Sequence, residues 1–364
     1  MNMRWPWQRK SSGELLVLSW LDETLAFVRA AERAPGHFEV TRFGVERKGT
    51  DSGADFARRL DALGLEGCQA RVMLRPRQYQ WLQIEAPGVA PEELRAAARY
   101  QIKDMLDNHI DDVTMDVMRV GGDGARGAQH LFVVAAPNAV LRGATELGEA
   151  MRWNTPVVDV QETAQRNLQN ALAARDGKPE RANAALVLVD DAQAVLTICA
   201  NEEIFYSRRL EIPQGFLAGS WAAGHTTAAP VANSYVPVGE YVPDYGVGGV
   251  AYGSDYSAPA APAAAGSAPN SAEAERAQRF LVEVQRSLDL WDRSWSGMPL
   301  AAVRVFAGER TVALASWLSR ELGQAVLPMD VGAWFTGFSG GAEADRALCW
   351  PLLGLLMRDD SRKL

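Results

Sequence analysis

The sequence predicts a duplicated α/β fold in which two units repeat one order of elements. In both halves the predicted order is three strands, a helix, a strand, a helix and a strand. A duplicated α/β unit explains this repeated order better than one large sheet does. The 364 residues are 48% hydrophobic and 23% charged, which is the balance of a globular chain long enough for two domains. A low-complexity stretch interrupts the second half. These observations predict two α/β lobes and one insertion.

The first half opens with alternating apolar segments. Short strands are predicted at 14–20, 24–30 and 37–45, then a helix at 53–64 and strands at 69–75 and 79–85. Pro91, Glu92 and Glu93 suit the first turn of a helix whose apolar face is predicted to be Leu94, Ala98, Ile102 and Met105. Further strands are expected at 112–119, 130–136 and 156–160. Helices are expected around Val140, Ala144, Leu147 and Met151, and at 161–174.

The second half restarts the pattern. Strands are predicted at 185–190, 193–199 and 203–210, and a long helix at 272–295 has apolar residues three or four positions apart. A strand at 301–306, a helix at 309–322 and a strand at 324–329 follow. The repeated order supports the duplication.

Residues 214–271 differ in composition from the rest of the chain. Ala, Gly, Pro, Ser and Val dominate, Lys and Arg are absent, and five of the eight tyrosines occur here. Such a stretch buries too little apolar surface to offset its ordering entropy, so a disordered insertion is predicted. The alternative is a docking segment in which the spaced tyrosines bind a partner.

Several classes of function are disfavoured. The three cysteines and four histidines are scattered, which argues against a metal site and against a disulfide framework. A net charge of −8 disfavours nucleic acid as a partner. No P-loop and no G-x-S-x-G motif occurs. Gly122, Gly124 and Gly127 fit G-x-G-x-x-G, but they fall between two predicted strands and are interpreted as a hairpin loop.

The termini indicate a cytoplasmic protein. Residues 1–12 are basic, with Trp5 and Trp7, and no apolar signal-peptide core follows them, so a flexible tail is predicted. The apolar run at 347–357 has about half the length that a membrane span needs.

Five tracts resemble the PilM family of type IV pilus assembly proteins. They are 100–120 (YQIKDMLDNHIDDVTMDVMRV), 131–168 (with VVDV), 186–210 (with FYSR), 281–290 (LVEVQRSLDL) and 303–323. Each tract alone is weak, but their order and spacing together are specific. Within the family, the chain is most similar to members that serve MSHA pili.

The resemblance implies an actin-like, ribonuclease H-like fold of two lobes. The first lobe would comprise 13–182, with a small inserted lobe at about 86–155, and the second lobe 183–364. The family's role implies a protein at the cytoplasmic face of the bacterial inner membrane, held there through its partners. The implied partners are the short cytoplasmic tail of a single-pass inner-membrane pilus assembly protein and the assembly motor ATPase.

The chain departs from the family where nucleotide would bind. The family's first turn carries D-I-G-S-S-S and a lysine, whereas this chain has Leu21, Asp22, Glu23, Thr24 and Ala26. Asp190 opens the second turn without the family's glycine, and one adenosine-side glycine remains, Gly308. A phosphate cradle needs glycine for close backbone approach and positive charge for the anion. The expected pocket is therefore degenerate.

These departures favour a non-catalytic scaffold without cofactor or metal. The alternative is an actin-like ATPase that binds ATP, with Asp190 holding magnesium, and whose nucleotide state regulates pilus or secretion machinery. A filament-forming protein of the same fold is a third hypothesis.

Overall fold

A computed structural model describes residues 13–121, 130–188, 190–221 and 271–359. The strands, in chain order, are β1 (Glu14–Leu21), β2 (Thr24–Ala34), β3 (His37–Arg47), β4 (Gln69–Leu74), β5 (Gln80–Glu85), β6 (Val113–Arg119), β7 (His130–Pro137), β8 (Asn154–Val160), β9 (Asn183–Leu188), β10 (Gln193–Ala200), β11 (Glu203–Glu211), β12 (Ala302–Phe306), β13 (Val326–Pro328) and β14 (Phe335–Thr336). The α-helices are α1 (Gly53–Ala62), α2 (Leu94–Ile102), α3 (Asn138–Ala150), α4 (Gln161–Arg175), α5 (Ser271–Ser294), α6 (Thr311–Leu322), α7 (Glu343–Cys349) and α8 (Leu353–Leu356).

Two sheets of matching topology confirm the predicted duplication. The first has the order β14-β3-β2-β1-β4-β8 and the second the order β11-β10-β9-β12-β13. In both, the first three strands form an antiparallel meander, and the next two add parallel to the first strand. β1 and β9 therefore occupy equivalent central positions, and their carboxyl ends present equivalent turns.

Helix α4 lies between the two sheets. Its Leu168 and Leu172 are fully buried in a cluster that includes Val17 of β1 and Val187 of β9. Its other side is polar, and the Gln165 amide donates to the carbonyl oxygen of Ala185 at 2.8 Å. Buried amides on this helix are thus paired with strand carbonyls, as burial requires.

A third sheet, with the order β5-β7-β6, forms the small inserted lobe. One face packs on α2 through Leu94, Ala98 and Ile102, as predicted. Met105 was predicted to continue that face, but it follows the end of α2 and is 47% exposed. After the helix, the Gln80 side chain contacts the backbone of Met105 and of Asp107.

The chain beyond 329 contains elements that the sequence did not predict. β14 pairs in parallel with β3, and α7 and α8 pack through Cys349, Leu353 and Leu355 in the cluster that contains Val17. The end of the chain, assigned from sequence to the second lobe, thus lies on the sheet of the first.

The predicted insertion at 214–271 starts earlier than the structure allows. Phe216 is 2% and Trp221 8% exposed, and both pack on Trp317 of α6. Ser220 donates through its backbone N–H to Glu273 at 2.6 Å, so the chain segments on either side of residues 222–270 lie together. Three regions discussed from the sequence lie outside the described residues: the tail at 1–12, the three glycines at 122–127 and residues 222–270.

Across the described part of the chain, no helix combines the length and the apolar character that a membrane crossing needs.

Candidate functional site

The predicted nucleotide cleft lies at the carboxyl ends of β1, β9 and β12. The β1–β2 hairpin places Asp22 and Glu23 in its turn, with φ of 49° and 58°. Two residues in this conformation close a tight hairpin, at a cost for side chains larger than glycine. Lys48 donates to the Glu23 carboxylate at 3.0 Å, and its backbone N–H donates to the Glu23 carbonyl oxygen. Thr24 donates to the Asp22 carbonyl oxygen. The turn is therefore stabilised by contacts within the first lobe.

The equivalent turn of the second lobe is organised by Asp190. Its Oδ1 accepts the backbone N–H groups of Ala192 and Gln193, both at 2.8 Å. Its Oδ2 lies 3.1 Å from a guanidinium nitrogen of Arg77, which is part of a short 3₁₀ turn after β4 in the first lobe. Both oxygens of the carboxylate proposed for magnesium thus contact protein groups.

Gly308 lies in the turn that connects β12 to α6. Its φ is 54°, and a Cβ at this position would come 3.2 Å from the Cβ of Ala347 in α7. The Thr311 hydroxyl donates to the Gly308 carbonyl oxygen at 2.6 Å and accepts the Ala307 N–H. Glycine is needed here for the left-handed backbone and for the approach of α7.

Arg75 connects α7 with the end of β1. This buried side chain donates from Nε to the Ser19 hydroxyl at 3.1 Å, and from its guanidinium to the Leu348 carbonyl oxygen. Burial lowers the pKa of Arg75 to about 10, which leaves it protonated at neutral pH. Since Ala347 lies against the Gly308 turn, α7 and Arg75 together connect that turn to the end of β1.

A buried ion pair joins the lobes beside these turns. Glu162, in the first turn of α4, is fully buried, and its Oε1 lies 3.1 Å from Arg209 of β11. Its Oε2 accepts the Tyr79 hydroxyl. Arg209 also donates to the carbonyl oxygens of Pro76 and Tyr79, at 2.6 and 3.0 Å. Burial, and then the charge of Glu162, raise the pKa of Tyr79 well above its ordinary value, so the hydroxyl keeps its proton.

The inserted lobe also contacts the second lobe. The Gly121 N–H donates to the Ile204 carbonyl oxygen at 2.9 Å, and a Cβ on Gly121 would come 2.5 Å from the ring of Phe205. Val120 and Phe132 pack there against Cys199 and Ile204. The second lobe is therefore joined to the rest of the chain by these apolar contacts as well as by the Glu162–Arg209 ion pair.

A cavity of about 380 Å³ lies where the three parts meet. Its lining includes Arg77, Tyr79, Trp81, Asp107 and Arg209. The lining mixes aromatic surface with both signs of charge.

The five residues predicted for the pocket lie on three separate turns, each with its own partners. The sequence did not single out Arg75, Arg77, Tyr79, Glu162 or Arg209, which make the contacts between these turns and between the lobes. The sequence feature that could have identified some of these residues is a charged residue next to an apolar strand, such as Arg75 directly after β4.

Comparisons with known proteins identify the fold. No family model matches the chain, and curated proteins give no significant match. A solved chain of a PilM–PilN type IV pilus biogenesis complex matches 95% of this chain over 99% of its own length, with 15% identity and a TM-score of 0.62. The chain therefore has a PilM-like, actin-like fold, as the resemblance in the sequence implied.

Two further solved structures are less similar. One is the cytoplasmic domain of EpsL, an inner-membrane component of the type II secretion system of Vibrio cholerae, with 14% identity, a TM-score of 0.39, and coverage of 55% of this chain and 71% of that one. The other is a Bacteroides thetaiotaomicron protein with an actin-like ATPase fold and unknown function, with 8% identity, a TM-score of 0.44, and coverage of 93% and 96%.

Proposed function

We propose that this chain is a non-catalytic scaffold of a type IV pilus assembly complex, of the kind that MshI represents in MSHA pili. It acts at the cytoplasmic face of the inner membrane and is held there by its partners. The partners are the short cytoplasmic tail of a single-pass membrane protein and, through the assembled complex, the motor ATPase. The fold shared with a protein of a pilus biogenesis complex supports this role.

One observation carries the non-catalytic part of the proposal. The groups that a nucleotide and its magnesium would need are already engaged by protein atoms, since Asp190 binds Arg77 and two backbone N–H groups. The β1–β2 turn adds two carboxylates and no glycine, so a triphosphate would meet negative charge and little backbone approach. Loss of two charge-assisted hydrogen bonds weakens binding by roughly 3–6 kcal/mol, or two to four powers of ten.

The charge of the chain fits the proposed partner. Cytoplasmic segments next to membrane spans are enriched in Lys and Arg, and this chain has a net charge of −8. Opposite charges accelerate encounter, and salt screens that attraction. Affinity for the tail is therefore expected to fall as salt rises.

The nucleotide test is calorimetric titration of the full chain with ATP and magnesium, beside Asp190→Asn. The scaffold proposal expects no heat of binding at micromolar nucleotide in either protein. Micromolar binding in the parent chain that Asp190→Asn abolishes would favour the ATPase alternative.

The partner test uses fluorescence anisotropy with the labelled N-terminal cytoplasmic tail of a single-pass inner-membrane pilus assembly protein from the same organism, and a scrambled tail as control. Saturable binding of the native tail alone, without nucleotide, supports the scaffold. Binding of both tails alike, or of neither, contradicts it.

A further inference from the structure

A pocket of about 450 Å³ opens where the chain returns from the second lobe to the first sheet. Most of its wall is formed by the stretch 329–339, which joins β13 to α7 and carries β14. The lining is largely apolar and includes Phe335, Phe338, Trp350 and Leu353. Phe338 is only partly buried, so its ring offers apolar surface to an occupant. The pocket therefore suits large apolar side chains.

The register of the first sheet relates this pocket to the start of β1. Glu14 of β1 pairs with Ala31 of β2, and Ala31 pairs with Glu39 of β3. Glu39 pairs with Thr336 of β14, which lines the pocket. Three strand spacings, roughly 14 Å in all, therefore separate residue 14 from the pocket lining. Residues 1–12, which precede β1, leave the sheet in the row of residues that borders the pocket.

The segment before β1 is long enough to reach the pocket and carries large apolar side chains. Trp7 lies six residues before Gly13. Six residues of extended chain span about 20 Å, which exceeds the distance to the pocket lining. Side chains two residues apart face the same side of an extended segment, so Trp5 and Trp7 can enter one pocket together. Pro6 between them restricts Trp5 to extended conformations, which lowers the entropy cost of docking.

A carboxylate marks the route from β1 to the pocket. Glu32 of β2 pairs with Phe38 of β3, whose ring stacks on that of Phe335 with 5.7 Å between centroids. The Glu32 carboxylate accepts the Gly36 backbone N–H at 2.9 Å and forms no ion pair with any described residue. Segment 1–12 has three basic residues and no acidic one, in a chain whose net charge is −8. This charge attracts the segment to its own chain and repels an anionic lipid surface.

From the reach, the two tryptophans and the charge we infer that segment 1–12 docks in this pocket of its own chain. Trp5 and Trp7 fill the pocket, and the basic residues Arg9 and Lys10 lie beside Glu32. The docked segment holds the connection between the lobes against the first sheet, because the wall of the pocket is that connection. A lipid surface would bind the same tryptophans without the pocket, and this difference makes the inference testable.

Photo-cross-linking of the full chain at low protein concentration tests the contact. With p-benzoylphenylalanine in place of Trp7, the cross-link is expected within one chain, to the tryptic peptides 321–346 or 347–358 that contain the lining. Thr336→Arg puts a cation on the exposed rim and should lower the yield at least about fivefold. Thr145→Arg, exposed on α3 across the sheet, should leave the yield unchanged. A cross-link elsewhere or between two chains, or none, overturns the inference.

Trypsin cleavage of the segment, followed by intact mass, gives a second readout in variants that leave the folded part of the chain untouched. Trp5→Ser combined with Trp7→Ser should accelerate cleavage after the segment's basic residues at least about tenfold, because an undocked segment is fully open to the protease. Gln8→Ser should leave the rate unchanged, and Glu32→Lys should increase it. Equal rates in the parent chain and the double variant overturn the inference. Protection that appears only with anionic phosphatidylglycerol vesicles also overturns it, in favour of a lipid surface.

Discussion

The Arg209 guanidinium of the second lobe lies 3.1 Å from the fully buried carboxylate of Glu162, at the start of the helix between the lobes. Because Arg209 also donates to the carbonyl oxygens of Pro76 and Tyr79, one side chain of β11 contacts both α4 and the turn after β4. Protein side chains therefore connect the two lobes directly at this position.

Removing the arginine should unfold the chain more easily. Arg209→Met leaves Glu162 buried without its cation, and is expected to lower the free energy of unfolding by about 3–5 kcal/mol. Arg208→Met, on the neighbouring residue, breaks a partly exposed pair and should cost about 0–1 kcal/mol. Urea unfolding at low protein concentration measures both. If both variants lost the same free energy of unfolding, the buried Glu162–Arg209 pair would contribute no more to stability than the partly exposed pair of Arg208.

The contact between the inserted lobe and the second lobe depends on Gly121. Gly121→Ala adds a Cβ 2.5 Å from Phe205 at a φ of 73°, and is expected to cost about 2–4 kcal/mol. Gly36 has nearly the same φ, 71°, with no atom near its Cβ position, so Gly36→Ala measures the backbone strain alone, about 1–2 kcal/mol.

The readout is thermal unfolding of both glycine variants, with hydrogen exchange at the backbone amide of residue 121 as a local probe. Faster exchange of that amide in Gly121→Ala, but not in Gly36→Ala, is expected because the 2.9 Å hydrogen bond from this N–H to the Ile204 carbonyl oxygen weakens. If Gly121→Ala and Gly36→Ala had the same melting temperature, the contact between Gly121 and Phe205 would not contribute to the stability of the chain.

The low-complexity stretch should be removable without loss of stability only if the deletion starts after Trp221. Deleting 222–269 and joining the ends with a short Gly-Ser link keeps Trp221 and Glu273. The deletion is expected to change the melting temperature by no more than about 3 °C, because the entropy of closing a connection changes only slowly with its length. Starting the deletion at 219 also removes Trp221, which packs on Phe216 and Trp317, and should cost about 3–5 kcal/mol. Two deletions of equal stability would show that this aromatic cluster is dispensable.

The local pattern of apolar and turn residues in the sequence predicts much of the fold but few of the contacts in the candidate site. Strands such as β1 and β9 are nearly continuous apolar runs between turn residues, so their existence and order could be predicted. β14 has two residues and exists only because β3 offers an edge, which no local pattern reveals. Likewise, Arg77 and Asp190 are far apart in sequence, and only the packing of the lobes brings them together. The turns could be located from sequence, whereas their partners could not.

The last prediction concerns what Asp190 does. In the ATPase alternative this carboxylate serves a metal ion, and its loss would leave the folded chain as stable as before when no nucleotide is present. In the structure it accepts two backbone N–H groups and contacts Arg77, and these contacts stabilise the turn. Asp190→Ala should therefore lower the free energy of unfolding by about 1–3 kcal/mol without nucleotide.

Two further variants separate these contributions. Asp190→Asn keeps an oxygen that accepts the Ala192 and Gln193 N–H groups and loses only the charge facing Arg77, so it should remain within about 1 kcal/mol of the parent chain. Asp191→Ala, on the next residue, should change stability by less than about 0.5 kcal/mol. Urea unfolding in nucleotide-free buffer ranks the three. If Asp190→Ala proves as stable as Asp191→Ala, the carboxylate is not needed for the turn, and a role toward a bound metal becomes the better explanation of its position.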